Sequence, residues 1–448
     1  MRKNKIICRR ARLSSVLLLL LILPHCLLGS PGAAIVSTND TSNDTADVDP
    51  ELVKILVQNR RMMKLENGWL AGEGAQFLVD QAGSSQFFLI GEDHGFADLP
   101  ILTAALFSAI NPLGYRNFAT ETGTLTAAYV EKLARQPQAE KAFAGFNAQY
   151  PFGIPFYNWK EEARMAAAIV EADGGKGRVL WGLDQEFIMS SAFHFKRLAE
   201  LAPDAKAKQV VDEYYSKIKT EFARIIKSKN PQLAFLSSAK GEDFDKLDAA
   251  FKGASAEAKT ILSELRQSRE IYQKNFDGRG YDSNLQRSIL MKRHFIAYYN
   301  NAARLRKTPP RVLFKFGANH VKRGKNFTNV YDIGNFVSEL AVSHGSTSFH
   351  LFVLPIGGTQ NAYVPFLENV ADKEKKVVIT ESSGFFDARP FLQTKEGKDW
   401  AVIDLRPLRP LVHSGKLKLP RGFADLVWGF DAVLVMPETK ASTLFEIL

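Results

Sequence analysis

Two short stretches of the 448-residue chain carry a histidine three residues after a glycine: Gly91-Glu92-Asp93-His94-Gly95 and Gly317-Ala318-Asn319-His320. The ordinary pKa of histidine lies close to working pH, so either ring can take up and return a proton. Glu92 stands two residues before His94, which puts both on one side of an extended chain. A carboxylate there raises the basicity of the ring and fixes its tautomer, as a base acting on water requires. Glu121 and Asp184 close two further apolar runs and are placed to orient that water or carry a second proton. His320 is placed to donate to a developing oxyanion or to hold a substrate carbonyl. No serine sits in a Gly-x-Ser-x-Gly turn, which favours direct attack by water, with no cofactor required, over an acyl-enzyme. The same His94, His320, Glu92 and Glu121 would equally offer nitrogen and oxygen ligands to a divalent metal, although no His-Glu-x-x-His or other compact ligand motif is present. Taken singly, each has a plainer use as a helix cap or as partner to a buried backbone group. The set, at corresponding strand ends, is harder to explain that way.

The elements that must position these side chains follow from the apolar pattern. Phe87-Phe88-Leu89-Ile90 leaves no solvated face, so this strand is expected to be covered on both sides. Gly91 and Gly95 let the backbone turn sharply and let other groups approach closely. Strands are expected again at 115–121, 178–184 and 311–316, then at 348–354, 376–380, 400–404 and 431–436. Between them the spacing predicts helices at 51–65, 99–107, 126–133 and 160–172, with an aromatic, Gly- and Pro-containing loop at 143–159. Strand, acid, helix is the grammar of an α/β fold built on a parallel sheet with right-handed crossovers. The stretch 190–306 departs from it: helical periodicity at 209–226, 244–251, 256–275 and 284–306 predicts a large helical insertion, framed here as a lid. Ligands of such sheets bind in the crevice beyond the carboxyl ends of the strands, where His94, Glu121, Asp184 and His320 all fall.

Residues 1–34 follow the plan of an export signal, with six basic residues, the leucine-rich run 16–23 and a small-residue stretch at 29–34. Secretion or periplasmic delivery is expected, with an uncleaved anchor as the competing reading. A Ser-, Thr-, Asn- and Asp-rich tether follows over 35–50, and residues 51–448 are expected to form one domain with its insertion. Without the signal, 52 basic residues face 48 acidic ones, so the basic balance of the whole chain belongs largely to the targeting segment. No basic run interleaved with aromatics follows, which argues against a nucleic-acid partner. Both cysteines, Cys8 and Cys26, lie within the signal, leaving no thiol nucleophile, disulfide or cysteine ligand. The expected partner is a small-molecule substrate. No protein partner and no stable membrane insertion of the mature chain are implied.

With Gly91-Glu92-x-His94-Gly95, Ala119-Thr120-Glu121, Gly182-Leu183-Asp184 and Ala318-Asn319-His320 in this order, the chain from about residue 70 onward resembles the erythromycin-esterase-like family, which belongs with the ChaN-like and Tiki/TraB-like proteins. Tyr157-Asn158-Trp159, Gln286-Arg287 with Met291, 400–406 and 429–434 extend the resemblance. It implies a mixed, mainly parallel sheet with helical additions over a deep cleft, and hydrolysis of an ester or lactone by water that a histidine activates. Carried over, His94 is the base, Glu92 and Glu121 are its supporting carboxylates and His320 is the second cleft histidine. Asp184, Asn319, Arg287 and Trp159 are the expected substrate-binding residues. The esterases typically carry Gly-Glu-x-x-His-Gly, whereas a single residue separates Glu92 from His94 here, as in the ChaN-like motif. The paired Gly-x-x-His motifs are similar to those of Tiki-type metal-dependent peptidases. A metal-dependent peptidase or hydrolase and a non-catalytic binder of a small ligand or haem therefore stand beside the esterase reading.

Overall fold

A computed structural model describes residues 48–66, 68–174, 177–361, 374–376, 386–420 and 422–445. The expected export signal, most of the expected tether, residues 377–380 of one expected strand and Arg421 lie outside the described residues. The strands are β1 (Arg60–Glu66), β2 (Trp69–Ala71), β3 (Phe87–Glu92), β4 (Tyr115–Gly123), β5 (Leu180–Asp184), β6 (Arg311–Gly317), β7 (Ser348–Pro355), β8 (Thr359–Asn361), β9 (Glu374–Lys376), β10 (Trp400–Asp404) and β11 (Ala432–Met436). Nine of them form one sheet in the order β2-β1-β10-β11-β7-β3-β6-β4-β5, and β8 pairs with β9. From β11 across to β5 every pairing is parallel, while β10, β1 and β2 add an antiparallel edge. The result is an α/β fold on a mixed, mainly parallel sheet.

The sheet is the middle of three layers, and β3 shows why. All six of its residues are buried, and they alternate between two cores: Phe88 and Ile90 join Leu313 and Phe118 on one face, Phe87 and Leu89 join Phe314 and Phe316 on the other. Helices Glu73–Ser84, Asp98–Ile110, Thr124–Ala134 and Lys160–Ala172 cover the first face. Pro50–Gln58, Gly280–Arg306, Ile333–Ser343 and Phe423–Gly429 cover the second. A third core, among Phe195, Phe235, Phe244, Leu262 and their neighbours, holds together the helices between Ser191 and Phe276. Of the helices expected at 190–306, the last therefore lies on the sheet through Met291, Phe295 and Tyr299, and the others pack on one another.

Two expectations need correction. The helix expected at 51–65 ends at Gln58, and Arg60–Glu66 is a strand paired antiparallel with β10. Met62 packs toward the second core and Met63 into the first, a two-residue alternation that a helix of 3.6 residues per turn would break. The loop expected at 143–159 begins only at Tyr150, because Ala139–Gln149 is helical and buries Phe143. Among the described residues, no helix is long and apolar enough to cross a membrane.

One buried ionic knot fastens the second face. Asp431, just before β11, accepts from Arg323 Nη2 at 2.6 Å, Arg409 Nη2 at 3.0 Å and the His350 backbone N–H at 2.9 Å. Burial pushes its carboxyl upward, but Arg323 and the His350 contacts outweigh burial and hold it at about 2. This contribution to stability is full above the unfolded carboxyl pKa of about 3.9 and is lost as the pH falls toward 2. Asp431→Ala is expected to destabilise the fold by about 3 kcal/mol at neutral pH, read by urea denaturation, with the difference from the parent shrinking in acid.

Candidate active site

The order β3-β6-β4-β5 sets the carboxyl ends of four parallel strands side by side, and each delivers one part of the site. β3 brings Glu92 and His94. β6 lies directly beside it and runs through Gly317 into the short helix Ala318–Val321, which bears His320. β4 brings Glu121 from the far side of β6, and β5 brings Asp184. His94 is held by the turn after it: Gly95 has φ +97°, and a Cβ there would lie 1.9 Å from the Asn361 carbonyl oxygen. Gln360 Nε2 donates to the His94 carbonyl at 2.7 Å and the Asn361 N–H to that of Gly95 at 2.9 Å, so β8 clamps the loop.

The side chains meet in a chain of alternating charge. His94 Nδ1 lies 3.0 Å from Glu92 Oε1, and its Nε2 lies 3.5 Å from Glu121 Oε2. Glu121 Oε1 is 3.3 Å from His320 Nε2 and accepts from Arg287 Nη2 at 3.0 Å. Arg287 Nε donates to Asp184 Oδ1 at 2.8 Å, and a second guanidinium contact reaches Asp184 Oδ2. On the outer side of His320, Nδ1 is 2.7 Å from Asp332 Oδ2. Behind Glu92 stands Lys315, whose Nζ is 2.5 Å from Glu92 Oε1 and 2.6 Å from Glu162 Oε1. All of these groups are buried.

Burial favours neutral imidazole at His94, but Glu92 and then Glu121 outweigh it and raise the ring to about 10. At His320 burial and Arg287 push down, and Glu121 and Asp332 prevail, raising it to about 9. Both rings are therefore cationic at neutral pH in this arrangement. Against burial, His320 and His94 hold Glu121 well below the usual carboxylate range, and Lys315 and His94 hold Glu92 down. Glu162 goes the other way, raised by its burial.

The cluster closes tightly around Gly317, where a side chain would not fit without displacing its neighbours. A Cβ there would stand 3.2 Å from Glu121 Oε2, 3.3 Å from His94 Nε2 and 3.8 Å from His320 Cδ2. His94 Nε2 is buried beside Gly317, where its nearest acceptor is Glu121 Oε2 at 3.5 Å, longer than an ordinary hydrogen bond. Phe156 covers the His94 ring, with ring centroids 4.3 Å apart and its own backbone at φ +68°, a conformation that costs a bulky residue about 1–3 kcal/mol. Only about 10 Å³ of cavity remains between Glu121, Asp184, Arg287, Phe156, Phe187 and Tyr272, room for one water at most.

Six of the eight expected site residues thus converge: His94, Glu92, Glu121, His320, Asp184 and Arg287. Asn319 and Trp159 stand apart. The Asn319 side chain accepts from the Phe327 N–H at 3.0 Å and lines a separate apolar hollow with Glu92, Asp93 and Phe352. Trp159 is buried behind Phe156, ring centroids 6.1 Å apart. Sequence reasoning missed Lys315, Glu162, Asp332 and Phe156. A lysine within the apolar run Val312-Leu313-Phe314-Lys315-Phe316 was a usable signal; nothing local pointed to Asp332, twelve residues beyond the histidine it contacts.

As metal ligands, His94, His320, Glu92 and Glu121 fit poorly. Among the described residues, no group of three or more His, Cys, Asp or Glu is arranged to hold a metal ion. Glu121 is the reason: Arg287 occupies Oε1, the Gly317 N–H donates to Oε2 at 2.6 Å, and a guanidinium on the same carboxylate competes with any cation.

Solved structures of the same fold exist. A Bacillus cereus protein solved in a structural-genomics programme superposes with TM-score 0.56 at 15% identity, over 88% of this chain and 99% of that one. A variant erythromycin esterase in its open conformation gives 0.55 at 13% identity, over 87% and 100% of the two chains. A succinoglycan biosynthesis protein gives 0.56 at 13%, over 88% and 98%. No protein-family model matches the sequence, and neither does any curated protein. The chain therefore has an erythromycin-esterase-like fold, a fold that a hydrolase uses.

The electrostatics lead to a direct test. Glu92→Gln removes the strongest influence that raises His94 and leaves Glu121 as the main group opposing burial. The His94 ring, followed by its Cε1–H NMR resonance, is expected to titrate near 10 in the parent and at lower pH in the variant.

Proposed function

We propose that this protein is an exported hydrolase that cleaves an ester, lactone or related bond of a small-molecule substrate with water activated by His94. The observation that carries the reading is the buried His94 Nε2 beside Gly317, 3.5 Å from Glu121, a carboxylate that His320 and Arg287 also contact. Water admitted beside His94 gives its proton to Nε2 of the neutral ring while Nδ1–H stays hydrogen-bonded to Glu92. The hydroxide attacks the carbonyl carbon, and cationic His320 with Arg287 stabilises the oxyanion. The tetrahedral intermediate collapses as His94 returns the proton to the leaving alkoxide, releasing acid and alcohol. Export rests on the signal-like residues 1–34.

Because the ring must be neutral to act, the pH dependence has a definite sign. The carboxylates that raise His94 make kcat/KM climb with pH through the neutral range toward about 10, rather than level off above 6.5. Glu92→Gln moves that limb toward acid. His94→Ala is expected to lower kcat by about 10²–10⁴-fold on whichever ester or lactone a substrate screen finds. Unchanged turnover in His94→Ala would overturn the reading. Activity that vanished on chelation and returned with Mn or Zn would favour the metal-dependent alternative, and a tight ligand with no turnover would favour the binding protein.

Entry of substrate requires the cover to move. Phe156 and Phe187, with Tyr272 from the helical insertion at 190–306, form the cover that moves. Phe156→Ala is expected to speed modification of His94 by diethyl pyrocarbonate several-fold at fixed pH and to lower KM for bulky esters. Equal modification rates would remove Phe156 from this role.

A further inference from the structure

We infer that Lys315 is a positioning residue for the reaction at His94: bridging Glu162 and Glu92, it pins the Glu92 carboxylate against the ring and so aims Nε2 toward Gly317 and Glu121. The inference rests on the hydrolase reading above.

Lys315 occupies an unusual place. Within β6 its neighbours Phe314 and Phe316 face the second core, so Lys315 points into the face that Leu313 shares with Phe88, Ile90 and Phe118. There it is 5% exposed, deep in a layer where an apolar side chain would be the inexpensive choice. Its two partners come from different directions: Glu92 from the adjacent strand, at 2.5 Å, and Glu162 from the first turn of Lys160–Ala172, at 2.6 Å. The other titratable groups nearby are His94, beyond Glu92, and Tyr157, which interacts with Glu162 and whose hydroxyl lies 3.2 Å from Thr120 Oγ1.

The decisive detail is which oxygen is used. Glu92 Oε1 meets both Lys315 Nζ and His94 Nδ1, so the ammonium fixes the acceptor on which the ring is oriented. Without Lys315 the carboxylate can swing about its last torsion, and the ring loses the reference that holds Nε2 toward Gly317. A buried ion pair kept for stability alone is a poor explanation, because replacing such a pair with well-packed apolar groups is often neutral or stabilising. Partners that orient a working histidine are a recurring device, and losing one costs roughly 10–100-fold in activity.

The test uses the full chain. Lys315→Met alone leaves two carboxylates buried face to face and is expected to fold poorly, so it is paired with Glu162→Gln. Two readouts are taken: the downfield ring N–H proton of His94 at neutral pH, assigned by its absence in His94→Ala, and kcat and KM on an ester that the parent turns over. In Lys315→Met/Glu162→Gln the resonance is expected to broaden into exchange with water, and kcat to fall by roughly 10–100-fold with KM within about twofold. Lys315→Arg, which keeps the cation, is expected to restore the resonance and part of kcat. A folded double variant with an unchanged resonance and unchanged kcat overturns the inference. If the resonance is lost while parent and His94→Ala hydrolyse alike, Lys315 still positions His94 and only the hydrolase reading falls.

Discussion

The structure turns on one constraint: charges taken out of water must find opposite charges. Lys315, Glu92, His94, Glu121, Arg287 and Asp184 are all buried at the carboxyl ends of four parallel strands. Each cation among them touches an acid that another cation also touches. Removing any one member leaves its neighbours uncompensated in a medium that solvates them badly. That is why the cluster needs the whole strand order β3-β6-β4-β5, and why its geometry is fixed before any substrate arrives.

Fixed geometry of this kind suits chemistry that develops charge. Donors already aimed at a position do not have to reorganise when an oxyanion forms there, and the dry surroundings strengthen each interaction. The same surroundings load His94 with a proton at neutral pH, so the cluster that makes the ring a strong base also keeps it occupied. Strength as a base and availability as a base oppose each other here, and the two carboxylates on either side of the ring set the balance.

What the sequence disclosed follows the range of the interactions involved. Glu92 and His94 were legible as a pair because a strand puts residues two apart on one face. The ends of the 115–121 and 178–184 runs were legible because apolar strands stop where the chain reaches solvent or a site. That β6 inserts between β3 and β4, bringing His320 beside His94, was not, since strand order depends on how distant crossovers pack. Arg60–Glu66 misled because Met62 and Met63 suit a helix face as well as a strand, and only pairing with β10 decides between them. Asn319 and Trp159 lie close in sequence to true members of the cluster, yet a short helix and an aromatic loop turn their side chains elsewhere.

The left-handed backbone of Phe156 has a further meaning. An aromatic residue in that conformation is under tension, and its ring contact with His94 offsets the tension only while the ring stays seated. If Phe156 lifts as the proposed lid, any backbone strain it recovers is set against the ring contact it gives up, so the two positions would differ by less than the larger of the two contributions. On that reading, a molecule that binds the uncovered cluster would need correspondingly less affinity to keep it open.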